Sequence, residues 1–275
     1  MTRRLFFRVI PILLLVGLPV ASSHGIIIRH DKADSRYQVS PRQYPQIFYL
    51  HTSFDHKVCV ATLINPRWAI TAAHCTEQTP LAETLASGMP FSLDIAGNSF
   101  TVDSMVLHPR HDTGNQLENV DLALLHLGQE AVGINPVSLY SQDDENNRVF
   151  TLLGWGYSGI GTRGLMGNDG QFRRAENRVV SAEQWLTFLF DDPRDPDSQV
   201  LELEGIPGLG DSGGPAILET EEELFIAGVA LGELELGESP PIQGLYGTMQ
   251  VYERISSHVE WIEEVIRQSE TSDQE

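Results

Sequence analysis

The spacing of the apolar runs constrains this chain most. The runs are short, and turn residues separate them: Gln46–Leu50 (QIFYL), Lys57–Ile64 (KVCVATLI), Trp68–Ala72 (WAITA), Phe100–Leu107 (FTVDSMVL), Asp121–Leu127 (DLALLHL), Val149–Leu153 (VFTLL), Pro215–Leu218 (PAIL) and Leu224–Leu231 (LFIAGVAL). Runs of about four to eight residues, enriched in β-branched and aromatic side chains, suit strands and are too short for helices. Many such runs with few helical patterns predict an all-β barrel or sandwich. One helix is signalled near the end, where Ile255, Val259, Ile262 and Ile266 recur at helical spacing. Ser257 is the expected cap, with Glu260 three residues on in capping-box register. The outer face of that helix is charged, so it is expected to dock on a barrel, and the polar residues 269–275 are expected to fray. The polar stretch Tyr140–Arg148 (YSQDDENNR) reads as a connection between two halves, and Gly156–Gln171, with six glycines, reads as a mobile loop.

The first residues have a different logic. Arg3, Arg4 and Arg8 form a basic head, an apolar stretch follows from Val9 to Val20, and small residues stand at Ala21, Ser22 and Ser23. That is the layout of a secretory signal peptide, expected over residues 1–25. A retained anchor is the alternative, but Pro11 and Pro19 interrupt a run already shorter than the roughly 20 residues a membrane span needs. No later segment is long and apolar enough to cross a bilayer. The expected location is therefore secreted or periplasmic, with no stable membrane insertion. Removing the leader takes the formal net charge from −20 to −23. So acidic a surface argues against nucleic-acid and anionic-lipid partners. The two cysteines, Cys59 and Cys75, point to a disulfide in an exported chain, with free thiols as the alternative. Two cysteines alone make a poor metal site, because structural zinc takes about four ligands.

The stretch LGDSGGPAI, residues 209–217, sets three glycines around Ser212 and Asp211. Such backbone freedom serves either a tight turn or a close approach of backbone to a reacting atom. Nucleophilic acyl transfer needs a hydroxyl, a base, an acid to orient the base, and donors for the developing oxyanion. Ser212 supplies a hydroxyl, His74 in TAAHC an imidazole, and Asp121 in NVDLALLHL a carboxylate.

The segments Cys59–Ile64, Thr71–Cys75, Asn119–Leu127, Gly154–Gly156 (GWG), Gly210–Pro215 (GDSGGP) and Val251–Ile262 together resemble the trypsin/chymotrypsin family of serine proteases (peptidase S1), from about residue 26 to residue 268. The resemblance implies two antiparallel Greek-key β-barrels, over residues 26–139 and 140–275, with the active site between them and a C-terminal α-helix. It implies an exported, bacterial-type serine endopeptidase, since the further disulfides of animal relatives are missing. His74 is then general base and later general acid, Asp121 its orienting carboxylate, Ser212 the nucleophile that forms an acyl-enzyme, and the N–H groups of Gly210 and Ser212 the oxyanion hole. Cys59 and Cys75 correspond to the disulfide that closes the loop leading to the histidine. Ile26 corresponds to the freed terminus that pairs with Asp211, here within Gly25–Asp31 (GIIIRHD), where signal-peptide cleavage itself is expected to create it. The implied specificity pocket comprises Ile206, Ala230, Leu231, Gly232 and Gln250. An apolar base and an intruding Gln250 suggest a small or medium apolar P1 residue; Glu204 is the alternative source of a negative charge. His108 and His111 read as surface or structural, and Trp155 as a packed anchor. The chemistry calls for no metal or organic cofactor, and the partners are protein or peptide substrates of a monomer. The alternative reading is a non-catalytic homologue that binds protein through the cleft. A lipase or esterase would show a nucleophile elbow within alternating β and α segments, which this sequence lacks.

Overall fold

A computed structural model describes residues 25–51, 57–115, 118–234 and 242–272. Residues 1–24 of the expected leader, 1–25, lie outside them. The chain enters through a three-residue strand, β1 (Ile26–Ile28), and then builds a first barrel from β2 (Ile47–His51), β3 (Lys57–Asn65), β4 (Trp68–Thr71), β5 (Phe91–Ile95), β6 (Asn98–Leu107) and β7 (Ala123–Leu127). These strands pair antiparallel in the order β2-β3-β4-β7-β6-β5, and the two edge strands lie close enough to leave the barrel nearly closed. β5 shows the alternation that drives this. Phe91, Leu93 and Ile95 are buried while Ser92 and Asp94 face water, as a pleated strand with one wet face requires. Two short helices, α1 (Ala73–Gln78) and α2 (Leu81–Ala86), follow β4.

The second half contains β8 (Ser138–Leu139), β9 (Val149–Gly154), β10 (Ser158–Ile160), β11 (Gly164–Gly167), β12 (Arg173–Ala182), β13 (Trp185–Leu189), β14 (Gly205–Ile206), β15 (Pro215–Glu219), β16 (Leu224–Glu233) and β17 (Met249–Arg254). β9, β12, β13, β17, β16 and β15 form a closed ring, because β15 pairs with both β9 and β16. Closure removes exposed strand edges. Phe150, Leu152, Leu186, Phe188 and Tyr252 fill its interior. β8 lies parallel to β16 on the outside of the ring. The all-β, two-barrel architecture expected from the sequence is the one observed.

The glycine-rich stretch expected as a mobile loop forms the hairpin β10–β11 instead, because β1 gives it a partner. β1 runs parallel to β10 on one side and antiparallel to β14 on the other. The terminal helix α3 (Val259–Ser272) follows a 3₁₀ turn at Ile255–Ser257. Ser257 is therefore inside that turn and does not cap α3, and the helix continues through Ser272 where fraying was expected. Ile255 and Ile262 are fully buried, and Val259, Trp261 and Ile266 pack against the same core as the first barrel. Trp68 Nε1 donates to Ser269 Oγ at 3.2 Å, fixing the helix across the first half. No helix of the described residues is long and apolar enough to cross a membrane.

Candidate active site

His74 is the second residue of α1, directly after β4. The Cys59–Cys75 disulfide ties that turn to β3, as expected. Asp121 lies two residues before β7, not at its head, and its backbone carbonyl accepts the Ala73 N–H at 3.2 Å. Its side chain holds His74 twice. Oδ1 accepts the backbone N–H at 2.8 Å, and Oδ2 lies 2.5 Å from Nδ1. Burial by itself would raise the Asp121 carboxyl, but the hydrogen bonds and charge of His74 outweigh it and hold Asp121 below the ordinary range. An ionised carboxylate can only accept, so in the neutral imidazole Nδ1 carries the proton and Nε2 the lone pair.

A residue that the sequence did not single out holds this segment from behind. Glu253, on β17 of the second barrel, is buried, and its Oε1 accepts the Asp121 N–H at 2.9 Å. Its Oε2 lies 3.6 Å from Nε2 of buried His258. His108 is buried rather than on the surface, edge-on to both His258 and Trp261. Burial, with His258 and Arg110 beside it, lowers its pKa to about 4, so it packs as a neutral ring. Trp155 is a packed anchor, stacked on Phe172 at 4.0 Å. The sulfurs of Cys59 and Cys75 and a ring nitrogen of His74 lie within 4.8 Å of one another, but the disulfide occupies both sulfurs.

Ser212 lies on the loop between β14 and β15. Gly210 (φ +89°) and Gly213 (φ +77°) bracket it in the left-handed region, where a β-carbon is strained. Gly213 also has no space for one: an added Cβ would lie 2.3 Å from the Val60 carbonyl oxygen and 2.4 Å from Thr71 Oγ1. The bare glycine lets the loop press onto β3, where the Ser212 carbonyl accepts the Val60 N–H at 2.7 Å. Val60 adjoins Cys59, which is bonded to Cys75 beside His74, so the Ser212 loop is tied through β3 to the start of α1. No hydrogen bond joins Ser212 Oγ to His74 Nε2. The N–H groups of Gly210 and Ser212 have no acceptor among the described residues, leaving two donors beside the hydroxyl.

Asp211 is buried beneath this loop. Oδ1 accepts the Gly156 N–H at 2.6 Å, and Oδ2 accepts those of Gly208 at 2.9 Å and Ile26 at 3.3 Å. Burial raises its pKa to about 6 even against those three donors. The expected partners Ile26 and Asp211 are thus in contact, through a peptide N–H. Gly25 before them is buried too, and a Cβ there would lie 2.9 Å from the Trp155 carbonyl carbon.

A cavity of about 60 Å³ opens beside Ser212, and Pro207, Gly208, Ala230, Gly232 and Gln250 contribute to its wall. Three of the five expected pocket residues line it. Ile206 does not: it is fully buried, paired with Ile27 on β1 and packed on Phe190, so the wall begins one residue later. Leu231 does not either. It is the extra residue of a bulge in the β16–β17 ladder, where Ala230 pairs with Tyr252 and Gly232 with Val251. Glu204 is also absent from the wall. Its buried carboxylate accepts the N–H groups of Asp191 and Leu201, and burial raises it to about 7.

The sequence model of the family described as Trypsin matches residues 34–262. The chain belongs to the trypsin family. Among curated relatives, the chain is 31% identical over 212 residues to an uncharacterized peptidase of Corynebacterium glutamicum (strain R), a match covering 74% of this chain and 62% of that protein. It is 32% identical over 157 residues to granzyme M of Homo sapiens, covering 55% of this chain and 58% of that protein. The chain thus spans about three fifths of the length of these trypsin-family relatives.

Proposed function

We propose that this chain is an exported serine endopeptidase in which Ser212, His74 and Asp121 act as a triad. The observation that carries this reading is the double hold of Asp121 on His74 at the seam where the Ser212 loop docks. Ser212 Oγ attacks the peptide carbonyl and passes its proton to His74 Nε2, and the Gly210 and Ser212 N–H groups receive the oxyanion. His74 then gives the proton to the leaving amine. Water, activated by the same nitrogen, hydrolyses the resulting ester. Asp121 keeps the ring oriented and offsets the imidazolium charge. The functional terminus is Ile26, whose freed ammonium replaces a peptide N–H at Asp211, and cleavage of the leader creates it. The enzyme works as a monomer on protein or peptide substrates.

The missing Ser212–His74 hydrogen bond is what a non-catalytic homologue would share, although such bonds are often long before substrate arrives. Labelling with a fluorophosphonate separates the two readings. The processed protein is expected to label and Ser212→Ala to stay unlabelled. A folded, processed protein that does not label is a binding module and not a protease.

A further inference from the structure

The cavity beside Ser212 has a carboxamide in its wall, that of Gln250, with no hydrogen-bond partner among the described residues. Gln250 is 2% exposed. Its backbone is committed on both sides, to Phe188 on β13 and to Glu233 on β16, so its side chain is what reaches the cavity. A carboxamide that faces a cavity and has no partner in its wall can both donate to and accept from a group that enters. Pro207, Gly208, Ala230 and Gly232 bring no polar side chain to the wall. Glu233 reaches it, but its Oε1 already accepts the Gly244 N–H at 2.6 Å. Gln243 reaches it too, and is exposed to water.

Size narrows the choice further. A volume of about 60 Å³ is under half of the ~150 Å³ that accepts benzene. Aromatic, leucine-sized and basic side chains are too large. Resting on the protease reading above, we infer that Gln250 selects the residue whose carbonyl Ser212 attacks, favouring a short side chain that ends in a hydroxyl or carboxamide: Thr, Ser or Asn. A carboxamide both donates and accepts, so it matches each of these groups. This departs from the apolar preference expected from the sequence, where Gln250 counted only as bulk.

The test uses peptidyl-aminocoumarin substrates identical except at P1, with the isosteric pair Thr and Val as the deciding comparison. The processed wild type is expected to cleave Thr at least about tenfold better than Val in kcat/KM, and better than Leu, Phe or Arg. A site built to hydrogen-bond a substrate group rejects the analogue that lacks it. Gln250→Leu is expected to bring the Thr/Val ratio to about one or below, and Gln250→Gly to open the cavity toward larger P1 residues. Thermal melting checks that both variants fold. Equal cleavage of Val and Thr by wild type, or an unchanged Thr preference in Gln250→Leu, overturns the assignment while leaving the protease reading intact. Failure of wild type to label with fluorophosphonate removes the protease reading itself.

Discussion

Asp211 permits a quantitative test of how the chain's start is tied to its site. With the peptide bond to Gly25 intact, the buried carboxylate has three N–H donors and no ammonium, and burial raises it from an ordinary 3.8 to about 6. At 1.36 kcal/mol for each tenfold change, that raise corresponds to about 3 kcal/mol. Between those two pH values the native state keeps a proton that the unfolded chain has released. Stability therefore falls as pH rises, and the full penalty is present above about pH 6. In a chain that starts at Ile26, the terminal ammonium faces the same carboxylate and favours its ionised form, so the penalty disappears. The perturbation compares two proteins, one starting at Ile26 and one continuing back through Gly25 with an acetylated, uncharged start. Urea unfolding from pH 4 to 9 is the assay, and the difference between the two curves cancels every shared titration. The Ile26 protein is expected to gain about 3 kcal/mol on the other between pH 4 and 7. It should lose the advantage above about pH 8, as the ammonium, whose pKa is raised by its partner, releases its proton. A difference that stays flat from pH 4 to 7 would refute the reasoning.

Other sites give sharper single-residue expectations. Arg173 is fully buried and holds the carboxylates of Asp34 and Asp169 at 2.8 to 3.1 Å, so Arg173→Met is expected to lose about 3–5 kcal/mol in urea unfolding. A loss under about 1 kcal/mol would count against a structural role for that cluster. Replacing Cys59 and Cys75 together by alanine opens a link across a sequence separation of 16 and should cost about 3 kcal/mol, read as a lowered melting temperature. Glu253→Leu leaves the Asp121 N–H without its acceptor, at about 1–3 kcal/mol of stability. Because Asp121 orients His74, this variant should lower kcat more than it raises KM, and a pure KM effect would contradict that role. Gly154→Ala places a Cβ 1.9 Å from Asp211 Oδ1 and is expected to abolish activity of the processed chain while both barrels still form, checked by circular dichroism beside the peptide assay.

Strands that are nearly continuous apolar runs were legible in the sequence, whereas the alternating β5 and β12 were not. β3, β4 and β9 are continuous apolar runs, and their expected and observed limits differ by a residue or so. β12 spans ten residues and was missed, because its sequence RRAENRVVSA hides the alternation: Arg173 and Asn177 point inward and are buried with partners. The hairpin β10–β11 was unreadable for a different reason, since its partner β1 is more than a hundred residues away. At the site, the motifs singled out His74 and Asp121, which are hydrogen-bonded, and the Ser212 loop; the Ile26–Asp211 contact came from the family resemblance, because Ile26 in β1 carries no residue signature of its own. The pocket wall was only partly legible, because one bulge at Leu231 changes which side chains face the cavity, and no residue type announces a bulge. Glu253 carried no signal: one acidic residue in a strand looks the same whether it meets water or a backbone N–H.

The placement of β1 has an energetic corollary. Ile27 belongs to the strand that pairs with β10 and β14, and the same residue forms part of the cavity wall beside Ser212. Docking of the leading tripeptide and occupation of the cavity are thus two binding events on one shared surface. Linkage makes their coupling reciprocal: whatever fills the cavity must tighten the hold on the leading residues by the same factor as those residues improve the cavity's grip.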